Sequence, residues 1–130
     1  VRGDFIMTDL KNTGVIDTKE LSAAQKEAAD SGNSYTHLFR KPYEYEDKTF
    51  TQVTFDWDKL TGDDALAIEN ELQQLGKPVI VPTFSGEYLV RMCARACTDP
   101  IGADFFKRMP IADYNKIRSA SRSFLLKSEL

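Results

Sequence analysis

Thr54-Phe55-Asp56-Trp57-Asp58-Lys59-Leu60-Thr61-Gly62-Asp63-Asp64 reads as the end of a β-strand passing through a short acidic link into the start of a helix. Val53, Phe55 and Trp57 alternate with polar residues, which sets three large apolar groups on one face of an extended chain. Thr61 stands at the N-cap position. Its hydroxyl is placed to accept a backbone N–H near Asp64, and Asp63 and Asp64 bring negative charge to the positive end of the helix dipole. Beyond Gly62, Ala65, Ile68, Leu72 and Leu75 recur at helical spacing and make one apolar stripe. Strand periodicity precedes this junction and helix periodicity follows it. The expected fold is α+β, an N-terminal β-hairpin packed on a small bundle of about four helices.

Toward the amino end, residues 36–45 and 48–57 are the two strands, joined around Glu46-Asp47-Lys48. Pro42 has no N–H to donate, so the first strand lies at an edge or is interrupted there. Leu38, Phe39, Tyr43, Tyr45 and Phe50 put apolar groups on both faces of this hairpin. A two-stranded hairpin is not stable alone, so it is expected to lie on the helices or to pair with another chain. Residues 1–34 are expected to form a flexible polar tail ahead of a domain spanning 35–130, since the helix-prone run 19–29 offers only Leu21 as a large anchor. Val1-Arg2-Gly3-Asp4-Phe5-Ile6 reads as a translated leader with the native start at Met7, an expectation that the mass of the protein made from its own locus would test.

Toward the carboxyl end, Gly76 fits a left-handed helix C-cap and Pro78 stops the helix. Residues 79–81, bracketed by prolines, form an extended crossing or a third short strand. Ser85 caps a helix running to about Cys97, with Leu89, Met92, Cys93 and Ala96 facing inward. Asp99-Pro100 is expected to open a short helix carrying Phe105 and Phe106. Met109-Pro110 breaks it, and residues 111–127 form the last helix, with Tyr114, Ile117, Ala120, Phe124 and Leu125 as its stripe.

Eight Phe, five Tyr and one Trp among 130 residues can fill one modest core. There is no run of eighteen apolar residues for a membrane span, and no basic-then-apolar amino end for a secretory signal. Cys93 and Cys97 stand one helical turn apart, a poor geometry for a disulfide, and read as small buried apolar residues in a reducing cytoplasm. Residues 84–130 carry eight basic and five acidic groups although the whole chain is at −3. Those bases neither cluster nor interleave with aromatics, so they read as a solvated face before a nucleic-acid surface.

No catalytic residues are predicted. A nucleophile with its base, a paired-carboxylate pocket, a metal cluster and a phosphate cradle are all missing from the pattern. Gly62 sits in an acidic setting that repels phosphate, Asp56, Asp58, Asp63 and Asp64 fail the calcium-loop spacing, and His37 has no serine or cysteine arranged beside it. No cofactor or metal site is expected.

From residue 38 to residue 125 the order of landmarks resembles the phage tail assembly chaperone family, in its E/41/14-type branch of tailed phages and prophages. Leu38-Phe39-Arg40-Lys41-Pro42 lies on the first strand, and Val53 and Phe55 on the second. Leu60-Thr61-Gly62-Asp63 opens a helix in which Glu69 or Glu71 is the matching acid. The helix 89–97, Met109-Pro110, Asp113-Tyr114 and Phe124-Leu125 complete the order. The chain departs from the pattern in its long segment before Tyr35 and in the proline-bracketed residues 79–81. The resemblance implies a non-catalytic, cytoplasmic helper that binds the tape measure protein and keeps it soluble before the tail tube polymerises. Tail tube protein is a further candidate partner, and Lys41, Pro42, Trp57, Thr61, Gly62, Asp63, Tyr114 and Phe124 are structural or interaction candidates; self-association is expected separately, because the hairpin carries apolar groups on both faces and Pro42 alone guards its edge. The resemblance also implies a second, longer product by ribosomal frameshifting, for which 123–125 and 125–127 are codon-compatible slip sites. The competing expectation is a small structural or accessory phage protein that binds nucleic acid through the basic last third.

Overall fold

The computed structural model describes residues 33–129, so the expectations for the leader, the tail and the helix-prone run 19–29 fall outside the described residues. Two antiparallel strands, β1 (Ser34–Tyr45) and β2 (Lys48–Asp56), form the hairpin. A 3-10 turn, Trp57–Lys59, leads into α1 (Gly62–Gln74). A second 3-10 turn, Pro82–Phe84, precedes α2 (Gly86–Ala96), which is followed by the one-turn α3 (Asp104–Lys107) and the long α4 (Ile111–Ser128). Among the described residues the fold is α+β: a two-stranded sheet and four helices.

The hairpin turns through Glu46 and Asp47, both at positive φ (47° and 63°), as a type I′ two-residue turn requires. Pairing is regular from Tyr45↔Lys48 to Tyr43↔Phe50 and again from Leu38↔Gln52 to Ser34↔Asp56, but the register shifts between Leu38 and Tyr43. Pro42 lies inside that shift, so the strand is interrupted where the missing N–H allows it.

The bulge keeps Phe39, Tyr43 and Tyr45 on the same face, against the helices. Leu38 alone of the five apolar residues named for this hairpin is on the outside, at 68% exposure. The expectation of apolar groups on both faces is therefore corrected: the inner face takes nearly all of them.

What the bulge cups is Phe105. This fully buried ring makes edge contacts with Tyr43, Tyr45 and Phe50 at centroid distances of 5.0–5.1 Å, and with Phe39 at 6.2 Å. The Tyr43 hydroxyl donates to the Phe105 carbonyl at 2.6 Å. Such edge-to-face pairs add to area burial, so one four-residue helix anchors a whole hairpin. A second aromatic row runs across the sheet to the last helix. Tyr35, Phe55, Trp57 and Phe124 stack nearly parallel, with interplanar angles of 7°, 10° and 14°.

Local signals set the helix ends. The Ser85 hydroxyl accepts from the Tyr88 N–H at 3.1 Å, and Gly76 has φ 74° just beyond α1. Asp99-Pro100 does not open a helix; α3 begins at Asp104, after an irregular stretch in which Thr98 N–H bonds to the Thr54 carbonyl along the edge of β2. Residues 79–81 form no strand and cross in an irregular, extended path. Leu75 lies beyond the last residue of α1 and is exposed, so the inward stripe of that helix ends at Leu72.

Candidate functional site

Side chains on α2, α3 and α4 leave a groove of about 470 Å³ between them. Val90 comes from α2, Phe106 and Lys107 from α3, and Met109, Ile111 and Tyr114 from the Met109-Pro110 break and the first turn of α4. The break creates it: Pro110 starts α4 in a new direction, with backbone bonds to its carbonyl from the Asp113 and Tyr114 N–H groups, and the space before that turn stays open. Gly86 forms the facing wall. A side chain there would meet the Tyr114 hydroxyl, since a Cβ would stand 3.0 Å from it.

The groove is apolar at its base and has an apolar rim. Ile111 is 69% exposed beside it, and Phe84, in the 3-10 turn that packs against α4, is 70% exposed. Ile80 and Val81, just before that turn, are exposed too. Its carboxylate, Glu87, is held by Arg91 at 2.5 Å and by Lys77 at 3.3 Å. These partners, Arg91 first, hold the Glu87 carboxyl below its ordinary range.

The named candidates fall into three places. Trp57 and Phe124 are brought together, stacked 5.3 Å apart at the strand–helix junction, with Trp57 only 4% exposed. Thr61 joins Phe124 in lining a small cleft of about 90 Å³ between α1, α2 and α4. The Asp64 carboxylate accepts from the Thr61 N–H at 2.8 Å and from its hydroxyl at 3.3 Å. Tyr114 lines the large groove. Lys41 and Pro42 are exposed in the hairpin bulge and line neither cavity, while Gly62 and Asp63 are exposed at the first turn of α1. Gly62 has open space where a Cβ would lie, so nothing packed against it demands glycine.

Two buried polar assemblies escaped the sequence reading. His37 and Asp113, 2% and 1% exposed, meet through Nε2 and Oδ1 at 2.8 Å, and the Tyr35 hydroxyl meets His37 Nδ1 at 3.0 Å. This network ties β1 to the first turn of α4. Neither residue lines the large groove, so the pair serves to register one element on another. Arg91, read as a solvated base, is buried and bridges α1 and α2 through Glu71 and Glu87. Among the described residues no group of three His, Cys, Asp or Glu is placed to hold a metal ion, and no helix is long and apolar enough to cross a membrane. Comparison with protein families, curated proteins and solved structures gives no match for this chain.

Proposed function

We propose that the protein is a phage tail assembly chaperone: a non-catalytic, cytoplasmic binder of the tape measure protein that keeps this long helical client soluble until the tail tube forms around it. The observation that carries the reading is the apolar groove, with Ile111 uncovered in its lining and Phe84 uncovered in the 3-10 turn that packs against α4. An uncovered apolar surface on a small domain marks a binding site for another chain, and a groove between helices suits an amphipathic helix laid along it. The family resemblance in the ordered landmarks from Leu38 to Leu125 is what favours this client. Tail tube protein and a second copy of the chain are the further partners of this proposal.

Nucleic-acid binding through the basic last third has less support. Arg91 and Arg95 are already paired with carboxylates on α1 or α2. The test is co-expression with the tape measure protein of the same phage or prophage. The client is expected in the soluble fraction with the native chain and in the pellet with a Phe84→Glu, Ile111→Glu double variant. A client equally insoluble with and without the native chain overturns the proposal.

A further inference from the structure

Helix α4 runs on past Tyr114, the last of its residues to line the groove. Along α4, Arg118 follows Ile111 by seven residues and Tyr114 by four, and Arg122 follows one turn later. At 3.6 residues per turn these four positions fall on one stripe of the helix. Arg118 and Arg122 therefore continue this stripe about 12 Å beyond Tyr114 along α4. Their chemistry is unfinished. The Nε atoms of Arg118 and Arg122 are both buried without a hydrogen bond, which leaves the outer Nη ends of the two guanidiniums as the groups a docked chain can reach. Among the described residues neither side chain has a carboxylate partner, nor does Lys107 in the groove wall. The neighbouring carboxylate, Glu87, is already held by Arg91 and Lys77.

We infer that Arg118 and Arg122 form a receptor whose guanidiniums donate to two carboxylates of the docked helix, so that this groove selects acidic amphipathic helices. This rests on the groove being the client site. Arg118 and Arg122 stand one turn apart on α4, with about 6 Å between Cβ atoms, the same spacing as glutamates at i and i+4 on a facing helix. Each fork can take a carboxylate through two parallel bonds. The apolar rim anchors the helix, and the arginines fix its orientation and reject basic helices by leaving like charges opposed. A duplex offers phosphates but nothing to fill an apolar groove, so a helix matches both halves of the surface.

The probes are two fluorescent eighteen-residue peptides with the same leucine stripe, one carrying glutamates at i, i+4 beside it and the other lysines. Anisotropy with the full chain should show the glutamate peptide binding at least about tenfold more tightly. An Arg118→Gln, Arg122→Gln double variant should bring the two peptides within about twofold while leaving the melting temperature unchanged, because neither Nε has a partner to lose. Arg118→Lys, Arg122→Lys should keep the preference for the glutamate peptide. Equal binding of both peptides, or of neither, overturns the inference. So does displacement of the peptide by a short DNA duplex with a steep salt dependence, or a groove already occupied by a second copy, seen as a dimer that Phe84→Glu dissolves. The two readings fail separately. If the glutamine variant solubilises the tape measure protein as well as the native chain does, the arginine inference falls and the chaperone reading stands. A selective groove that leaves that client insoluble gives the reverse.

Discussion

Trp57 and Asp64 show how the strand–helix junction is fixed by two different kinds of force. Trp57 is buried between Phe55 and Phe124, so its ring has aromatic neighbours on both sides. Trp57→Ala is expected to lower stability by about 3–5 kcal/mol, as large aromatic truncations in a core do; denaturant unfolding measures it, and a loss under about 1 kcal/mol would mean the stack contributes little. Asp64 acts by charge. Its carboxyl is held below the ordinary range, first by the Thr61 backbone N–H and then by Arg95, whose Nη1 lies 2.7 Å away. A carboxylate depressed in the folded state contributes stability above its unfolded pKa, and loses it as pH falls through the folded value. Asp64→Asn should therefore cost about 1 kcal/mol at pH 6. The gap to the native chain should close as pH drops below about 4. A gap that persists at pH 2.5 would show that shape, not charge, holds the cap.

The hairpin is the element in which local chemistry and the observed backbone disagree. Glu46 and Asp47 both adopt left-handed φ, a region where residues with a Cβ are strained and glycine or asparagine is at ease. Glu46→Asn with Asp47→Gly should raise stability by about 1 kcal/mol, seen as a higher urea midpoint with an unchanged slope. A lower midpoint would mean that the side chains of Glu46 or Asp47 stabilise the turn by contacts of their own. What sequence could say about the elements followed from the range of each signal. The alternation through Trp57, the Ser85 cap, Gly76 and the Met109-Pro110 break act within a few residues, and each appears where it was read. The start of α3, the burial of Arg91 and the His37–Asp113 contact depend on partners far away in the chain, up to 76 residues for the last. Tyr114 was legible as part of a helical stripe. The groove was not, because it is the space left where three helices diverge.

At the scale of the whole molecule, the core joins both strands to all four described helices, and Cys93 lies inside it. Burial pushes the Cys93 thiol up to about 12, so at pH 8 it is neither ionised nor reachable. Alkylation by iodoacetamide should then proceed only through global opening. Trp57→Ala should accelerate it by about 150- to 5,000-fold, in step with the stability lost. Fast labelling of the native chain would show that α2 opens without the rest. The Phe105 hub has a further consequence during synthesis. The hairpin leaves the ribosome first, yet the ring that fills its bulge lies 60 residues after Tyr45. At about 5–20 residues per second, several seconds pass in which both strands exist without the residue they close upon. A pause site before codon 105 would lengthen that interval, and the nascent chain would spend it with its aromatic face in water.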